Sequence, residues 1–376
     1  MNDLMLHTPD GFRDIYDDDC RQKLELETRL REVMYSFGYR AIETPSVEFA
    51  EIFAGSEGGV AQKELYRFFD RDGSTMALRP DFTPSVARSA AKYFLLEEPV
   101  RLCYLGQTFV NHSSYKGMLK ETTQLGAELM GDASPEADAE VLAMVIRSLL
   151  KAGLTDFQIT VGHALYFESL VAQEDAMGRQ DMETLKALIR NRNSFGVRDF
   201  LQERKMEPAR ARAIAGLPDL FGGEEVLEQA RELAHHVDGP SAGKAQQAID
   251  RLQQVHDILR IYGLEKYVTF DLAMLGSYMY YTGIIFRGYT RGSGDAVVKG
   301  GRYDHLLEQF GKEAPSTGFV VVIDRLLETL KYQQIGIFPE RACRRIECTR
   351  ANREQALKEA EELRAQGMNV EVAYRG

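Results

Sequence analysis

A long interruption constrains this chain most. From residue 170 to 262 only helical patterns and short loops appear, punctuated at Pro208, Pro218, Gly222-Gly223 and Gly239-Pro240. Strand patterns lie on both sides of it. Before it come a strand at 40–49 broken by Pro45, a hairpin at 65–80, a long antiparallel pair at 101–112 and 119–130, and a strand at 157–162. After it come strand patterns at 268–272, 280–289, 296–298 and 317–323. The returning strand patterns close the main domain, so the middle stretch reads as a helical insertion. The pattern predicts a discontinuous core, 1–169 and 263–330, with a helical insertion at 170–262 and a small terminal unit at 331–376.

Local chemistry supports these elements. Leu26, Leu30, Val33, Met34 and Phe37 recur at helical spacing behind Asp17–Asp19, whose charges suit a helix start, and Gly38 follows as a stop. Pro45 implies a sheet edge or an interface. Arg71-Asp72-Gly73-Ser74 reads as the hairpin turn. Ser134-Pro135 is an N-cap and a first-turn proline, opening a helix that buries Val141, Leu142, Val145, Ile146 and Leu149 and ends at Gly153. A helix at 324–330 closes the core. In the tail, a strand at 345–348, an N-cap at Asn352, a helical face at Ala356, Leu357, Ala360 and Leu363, a stop at Gly367 and alternation at Val370, Val372 and Tyr374 make one β–α–β unit.

Composition excludes several classes. The chain has 376 residues, 44% hydrophobic and 27% charged, which is the make-up of a globular protein and not of a disordered or collagenous one. No stretch is long and apolar enough to span a membrane. The formal charge of −11 lacks the footprint of a nucleic-acid-binding chain. Cys20, Cys103, Cys343 and Cys348 form no CxxC pair, which argues against a zinc ribbon or disulfide framework and suits a reducing cytoplasm. The N-terminus shows no apolar signal region, and no metal site is expected. His235-His236 reads as a solvated helix face, His163 as a buried, satisfied histidine, Arg302 as a structural residue, and 291–295 as a hairpin turn.

Several strings occur in order. They are Pro9-Asp10-Gly11-Phe12-Arg13-Asp14, Leu78-Arg79-Pro80-Asp81-Phe82-Thr83, Gln124-Leu125-Gly126-Ala127-Glu128, Tyr280-Tyr281-Thr282-Gly283, Gly300-Gly301-Arg302-Tyr303-Asp304, and Thr317-Gly318-Phe319 with Ile323-Asp324-Arg325-Leu326. In order and spacing they resemble the histidyl-tRNA synthetase catalytic domain over roughly residues 7–330. The resemblance implies an α+β, class II aminoacyl-tRNA synthetase-like fold, a mixed, mostly antiparallel sheet flanked by helices. A second group shares that fold, the catalytically silent regulatory subunits of ATP phosphoribosyltransferase. This chain is more similar to them, through Tyr280-Tyr281-Thr282-Gly283 and the Gly162-His163-Ala164 step.

The resemblance also assigns roles. The synthetase meets the ATP α-phosphate with an arginine in a string F-R-x-E; here the string is Phe109-Val110-Asn111-His112, and valine neither donates a hydrogen bond nor carries charge. A second arginine corresponds to Gly276, and an adenine-side glycine to Val322. Lys116 and Lys120 remain as phosphate contacts without a bidentate fork, and Arg325 alone survives of the phosphate arginines. The amino-acid pocket is carried over at Asp81, Thr83, Gln124, Glu128, Tyr280 and Tyr281. Independently of the resemblance, Gln124 and Glu128 stand four residues apart on one strand, so both face the same side past Gly126.

The implied function is a non-catalytic subunit. It would have no catalytic residues and no cofactor. It would partner the short-form catalytic subunit of ATP phosphoribosyltransferase, which opens histidine biosynthesis, and would take part in histidine feedback. Self-association through the first motif is implied, tRNA binding is not. The alternatives are an active histidyl-tRNA synthetase and a histidine-binding protein with another partner. The tail, with nine basic and seven acidic residues over 331–376, is shorter than an anticodon-binding domain and makes a poor RNA platform.

Overall fold

The computed structural model describes residues 6–54, 60–112, 118–171, 177–235, 240–275, 281–336 and 342–375. The chain divides into two compact units, 1–335 and 336–376.

The first unit begins with α1 (Asp17–Ser36), whose Leu26, Leu30, Val33 and Met34 are buried. Gly38, at φ +82°, turns the chain out of it, a conformation glycine adopts without strain. Next come β1 (Arg40–Ala41), β2 (Val47–Phe49), a short α2 (Glu51–Ala54), and the hairpin of β3 (Arg67–Phe69) and β4 (Thr75–Leu78). Residues 40–49 are therefore not one strand, as the sequence suggested. Pro45 lies where the chain leaves one sheet for another: β1 is the edge of the main sheet, and β2 pairs with β4 in a separate three-stranded sheet. A residue without an N–H cannot continue a ladder, so the break becomes a change of sheet.

α3 (Thr83–Tyr93) follows, then β5 (Val100–Phe109), β6 (Glu121–Met130), α4 (Pro135–Lys151) and β7 (Phe157–His163). The Ser134 hydroxyl accepts from the Ala137 amide, as an N-cap does. Between β7 and β9 run α5 (Ala164–Val171), α6 (Arg179–Arg190), α7 (Ser194–Glu203), α8 (Pro208–Gly216), β8 (Phe221–Gly222), α9 (Glu225–Ala234) and α10 (Pro240–Ile261). The stretch read as strand-free thus contributes one two-residue strand, β8, which pairs with β9 at the end of the sheet. Two residues give no period to read.

β9 (Val268–Asp271), β10 (Ile284–Thr290), β11 (Val298–Arg302), β12 (Ser316–Val322) and α11 (Ile323–Tyr332) complete the unit. β11 runs through the glycine pair rather than ending at 298, because two adjacent glycines hide a strand from pattern reading. β10 starts at Ile284, after Tyr281, and Tyr280 lies outside the described residues. The main sheet has the order β1-β5-β6-β12-β11-β10-β7-β9-β8. Its central pairings are antiparallel, while β1–β5 and β7–β9 are parallel.

Helices α1, α4 and α11 cover one face, where Leu125, Ala127, Leu129, Val298 and Val321 are buried. On the other, α3 and the turn at 306–310 enclose a second cluster around Phe82, Val86, Leu102, Tyr104, Met130 and Tyr303. That cluster covers only part of the face. The remainder is open and carries the polar side chains described below.

The second unit pairs β13 (Cys343–Cys348) in parallel with β14 (Asn369–Tyr374) across α12 (Arg353–Ala365). Ile346, Cys348, Ala356 and Ala360 form its small core. Asn352 stands at the N-cap position, but its side chain accepts from the Thr349 amide and hydroxyl rather than from the helix. Among the described residues no helix is long and apolar enough to cross a membrane.

Candidate functional site

The strand register builds the site. β6 pairs Gln124 with Val322, Gly126 with Val320 and Glu128 with Gly318, and β11 pairs Lys299 with Val320. Gln124, Glu128 and Lys299 therefore share the open face. Glycines clear space for the acid: a Cβ on Gly318 would lie 1.7 Å from Glu128 Oε2, and one on Gly126 would lie 2.3 Å from the Tyr104 hydroxyl. These are close-approach glycines in strand interiors.

Glu128 is 1% exposed. The Tyr303 hydroxyl donates to its Oε2 at 2.5 Å, and Thr83 Oγ1 and the Tyr104 hydroxyl donate to its Oε1 at 2.8 and 3.3 Å. Thr83 opens α3, so the helix start delivers that hydroxyl. Burial pushes the Glu128 carboxyl up to about 8, although the hydroxyls of Tyr303, Thr83 and Tyr104 favour its ionised form. Burial also raises Asp81, against bonds from the Thr83 and Phe82 amides. Asp81, Thr83, Gln124, Glu128 and Tyr281 line one cleft with Lys299. Its free volume is about 40 Å³, room for roughly three waters at 10–15 Å³ each. Among the described residues the Gln124 Oε1 is buried without a hydrogen-bond partner.

Five of the six residues assigned to the pocket thus meet in one place. The sixth, Tyr280, lies outside the described residues, as do Gly276, Lys116 and His236. Sequence reasoning missed Tyr303, Tyr104 and Lys299. Tyr303 sits beside Arg302 in the glycine-rich string, and the signal available for Tyr104 was Gly126, its partner across β5–β6.

The positions that correspond by resemblance to the synthetase's phosphate contacts are differently furnished. Val110 is half-buried, and its amide donates to the Lys120 carbonyl. Lys120 lies against Gly11, whose φ is +86°, and its amide donates to the Gly11 carbonyl. His112 Nδ1 lies 4.0 Å from Glu64. Arg325 donates to Asp295 at 2.9 Å and to the Ala296 carbonyl at 2.7 Å. Val322 is the residue before α11.

Other assigned residues are structural. Arg302 Nε donates to Asp138 at 2.9 Å, and its Nη1 to the Asp132 carbonyl and to Asp304. Asp138 also accepts from Arg251 on α10. Arg13, in the opening string, bridges Asp324 and Glu328 on α11. His163 is buried, accepts from the Leu165 amide through Nδ1, and is pushed down to about 3 by burial. The turn at 291–295 joins β10 to β11, with Gly292 and Gly294 at positive φ. Glu224, His256 and Asp257 bring ligand atoms within 4.8 Å of one another, but Arg260 already bonds both carboxylates.

A mixed, mostly antiparallel sheet with a carboxyl-lined cleft on its open face, beside the start of α3, defines a class II synthetase-like protein. The family model described as histidyl-tRNA synthetase matches residues 11–326. An ATP phosphoribosyltransferase regulatory subunit of Caldanaerobacter subterraneus subsp. tengcongensis is 36% identical over 98% of this chain and 94% of its own length. One from Acetivibrio thermocellus is 36% identical over the whole chain and 88% of its own length. A crystal structure described as an ATP phosphoribosyltransferase regulatory subunit/histidyl-tRNA synthetase, from Bacillus halodurans, superposes with a TM-score of 0.87 at 30% identity, covering 98% of this chain and 93% of the other. The chain belongs to the histidyl-tRNA synthetase-like family of ATP phosphoribosyltransferase regulatory subunits. A histidyl-tRNA synthetase from Nostoc, at 22% identity and a TM-score of 0.81 over 99% of this chain and 86% of the other, shares the fold.

Proposed function

We propose that this chain is the non-catalytic regulatory subunit of a short-form ATP phosphoribosyltransferase, that it activates the catalytic subunit, and that its cleft takes part in histidine feedback. The contrast between the preserved amino-acid pocket and the positions that correspond to the synthetase's phosphate contacts carries the reading. In the pocket Asp81, Thr83, Gln124, Glu128 and Tyr281 converge, and an orphaned Gln124 oxygen waits for a donor. A buried acceptor left unmade costs about 1–3 kcal/mol, which a ligand N–H would recover. Among the phosphate positions Val110 stands where the synthetase places its phosphate arginine, and Arg325 is taken by Asp295. Fixed cations aimed at a developing phosphate charge are worth several kcal/mol of barrier, and this chain supplies none at Val110.

An effector acts by binding two states of a complex differently, so histidine feedback requires the cleft to differ between the active and inhibited complex. The test mixes this chain with a short catalytic subunit. Activity should rise well above that of the catalytic chain alone, and histidine should lower it. Gln124→Ala should move the inhibition curve to higher histidine while assembly persists; an unmoved curve would place the histidine site elsewhere.

The synthetase reading rests on the fold and the family model. It predicts histidine-dependent ATP–pyrophosphate exchange by the purified chain. Exchange above background, in a preparation cleared of host synthetase, would overturn the regulatory reading.

A further inference from the structure

A second cleft lies further along the same open face, over β10, β7 and β9, with a volume of about 500 Å³. Ligand pockets of this kind run from roughly 300 to 1,000 Å³. Its floor is one row of the register: Arg287 on β10 faces Thr160 on β7, which faces Thr269 on β9. Neighbouring strands stand about 4.8 Å apart, so the row offers a guanidinium and two hydroxyls in line. The hydroxyls of Thr269 and Thr160 are 3.4 Å apart.

The wall comes from the insertion. Arg190 ends α6, and Arg192 follows at φ +50°, in the left-handed region that costs any residue with a Cβ energy. Asp271, at 2.7 Å, and the Pro218 carbonyl, at 2.8 Å, hold the Arg192 guanidinium, which lies over the Phe221 ring. Phe221 and Met274 supply apolar surface beside it.

The charges do not close. Three arginines line the cleft against one carboxylate, Asp271, which Arg192 already engages. Among the described residues Arg190 bonds the Lys186 carbonyl of its own helix, and neither it nor Arg287 makes a hydrogen bond or close ion pair to a carboxylate, although Asp271 lies near enough to feel the charge of Arg287. Arg287 also sits directly across from Lys299, and like charges at opposed strand positions destabilise a sheet. A chain of net charge −11 thus keeps a local surplus of two positive charges over a polar floor.

We propose that this cleft binds a small molecule carrying a phosphate group, gripped by Arg287, Arg190 and the hydroxyls of Thr160 and Thr269, with its remainder against Phe221 and Met274. A phosphate brings about −1.5 to −2 charge and three acceptor oxygens, which match the surplus and the planar guanidinium forks. A carboxylate supplies half that charge.

The experiment titrates the full chain with inorganic phosphate, pyrophosphate and citrate by calorimetry at constant ionic strength. Saturable one-site binding of pyrophosphate, tighter than citrate, is expected. Arg287→Gln and Arg190→Gln should each weaken it about tenfold or more, as loss of a charge-assisted contact does. Arg212→Gln, on α8 outside the cleft, should leave it unchanged. Circular dichroism checks each fold, and the exposed Arg190 position keeps the test decisive should the Arg287 variant misfold. Absence of saturable binding, wild-type affinity in both cleft variants, or tighter binding of citrate would each overturn the assignment.

Discussion

Glu128 concentrates the chemistry of this protein in one side chain. A carboxyl whose folded value is raised from 4.5 to about 8 keeps a proton that the unfolded chain gives up. The folded state binds more protons across that window, so this group's contribution is fully present below about pH 4.5 and is lost as pH rises through about 8. Glu128→Gln removes the titration and, like the neutral acid, keeps one acceptor oxygen and presents a donor at the other position, towards which the Tyr303 or Thr83 hydroxyl can turn its oxygen. The variant should match wild type near pH 4 and exceed it by a few kcal/mol above pH 8 in urea unfolding. Parallel pH profiles would mean the acid is not held neutral. The same geometry predicts proton release on histidine binding, because a ligand cation or N–H donor favours the ionised carboxylate. Calorimetry at pH 7 in buffers of differing ionisation heat should register close to one proton leaving. Identical heats in every buffer would remove Glu128 from the binding site.

At the scale of elements, one buried carboxylate ties three of them together. Asp138 on α4 receives Arg302 from β11 and Arg251 from α10, and it is fully buried. Removing one partner of a buried ion pair leaves a charge uncompensated and typically costs about 3–5 kcal/mol. Asp138→Ala should therefore cost more than Arg251→Ala, since the former leaves Arg302, 5% exposed at its side chain, with only the half-buried Asp304 as a carboxylate partner, and the latter leaves the Asp138–Arg302 pair intact. Chemical denaturation of the two variants gives the order directly, and equal losses would refute it. Such a tie was not legible in the sequence. Legible features were those with a local cause: α1 from its period and Gly38, α4 from Ser134-Pro135, the hairpin from its Asp-Gly turn, the β–α–β tail from alternation. Gln124 and Glu128 were placed on one face by the two-residue period alone. What escaped depended on distant partners or on too few residues. Pro45 marked a break but not a change of sheet, β8 is two residues long, and β11 hid behind its glycines. Tyr303 and Tyr104 reach Glu128 only through pairing of strands far apart in the chain.

The whole molecule presents one surface that its own fold leaves unfinished. In the three-stranded sheet the register sets Phe49, Met76 and Phe68 in a single row, with Val47 two residues along on the same face. Phe49 is 54% exposed and Phe68 42%. Contiguous exposed apolar groups of this kind mark an interaction surface. In the fold this chain resembles, the segment running from α1 through Pro45 builds a two-fold dimer. A two-fold axis would bury each ring twice, four phenylalanines for two residues of sequence. At about 1.5–3 kcal/mol for a large side chain taken wholly from water, four rings that are already half-buried supply about 3–6 kcal/mol, near the low end of the 4–15 kcal/mol that association costs. The surrounding contacts then decide the affinity. Sedimentation of the purified chain at micromolar concentration should give a dimer or a larger species. Phe49→Glu with Phe68→Glu would place four charges at the same seam and should yield monomers. Because both rings are largely exposed in the single chain, unfolding of that monomer should stay cooperative. A double variant that still sediments as a dimer would show that the chains meet through another surface.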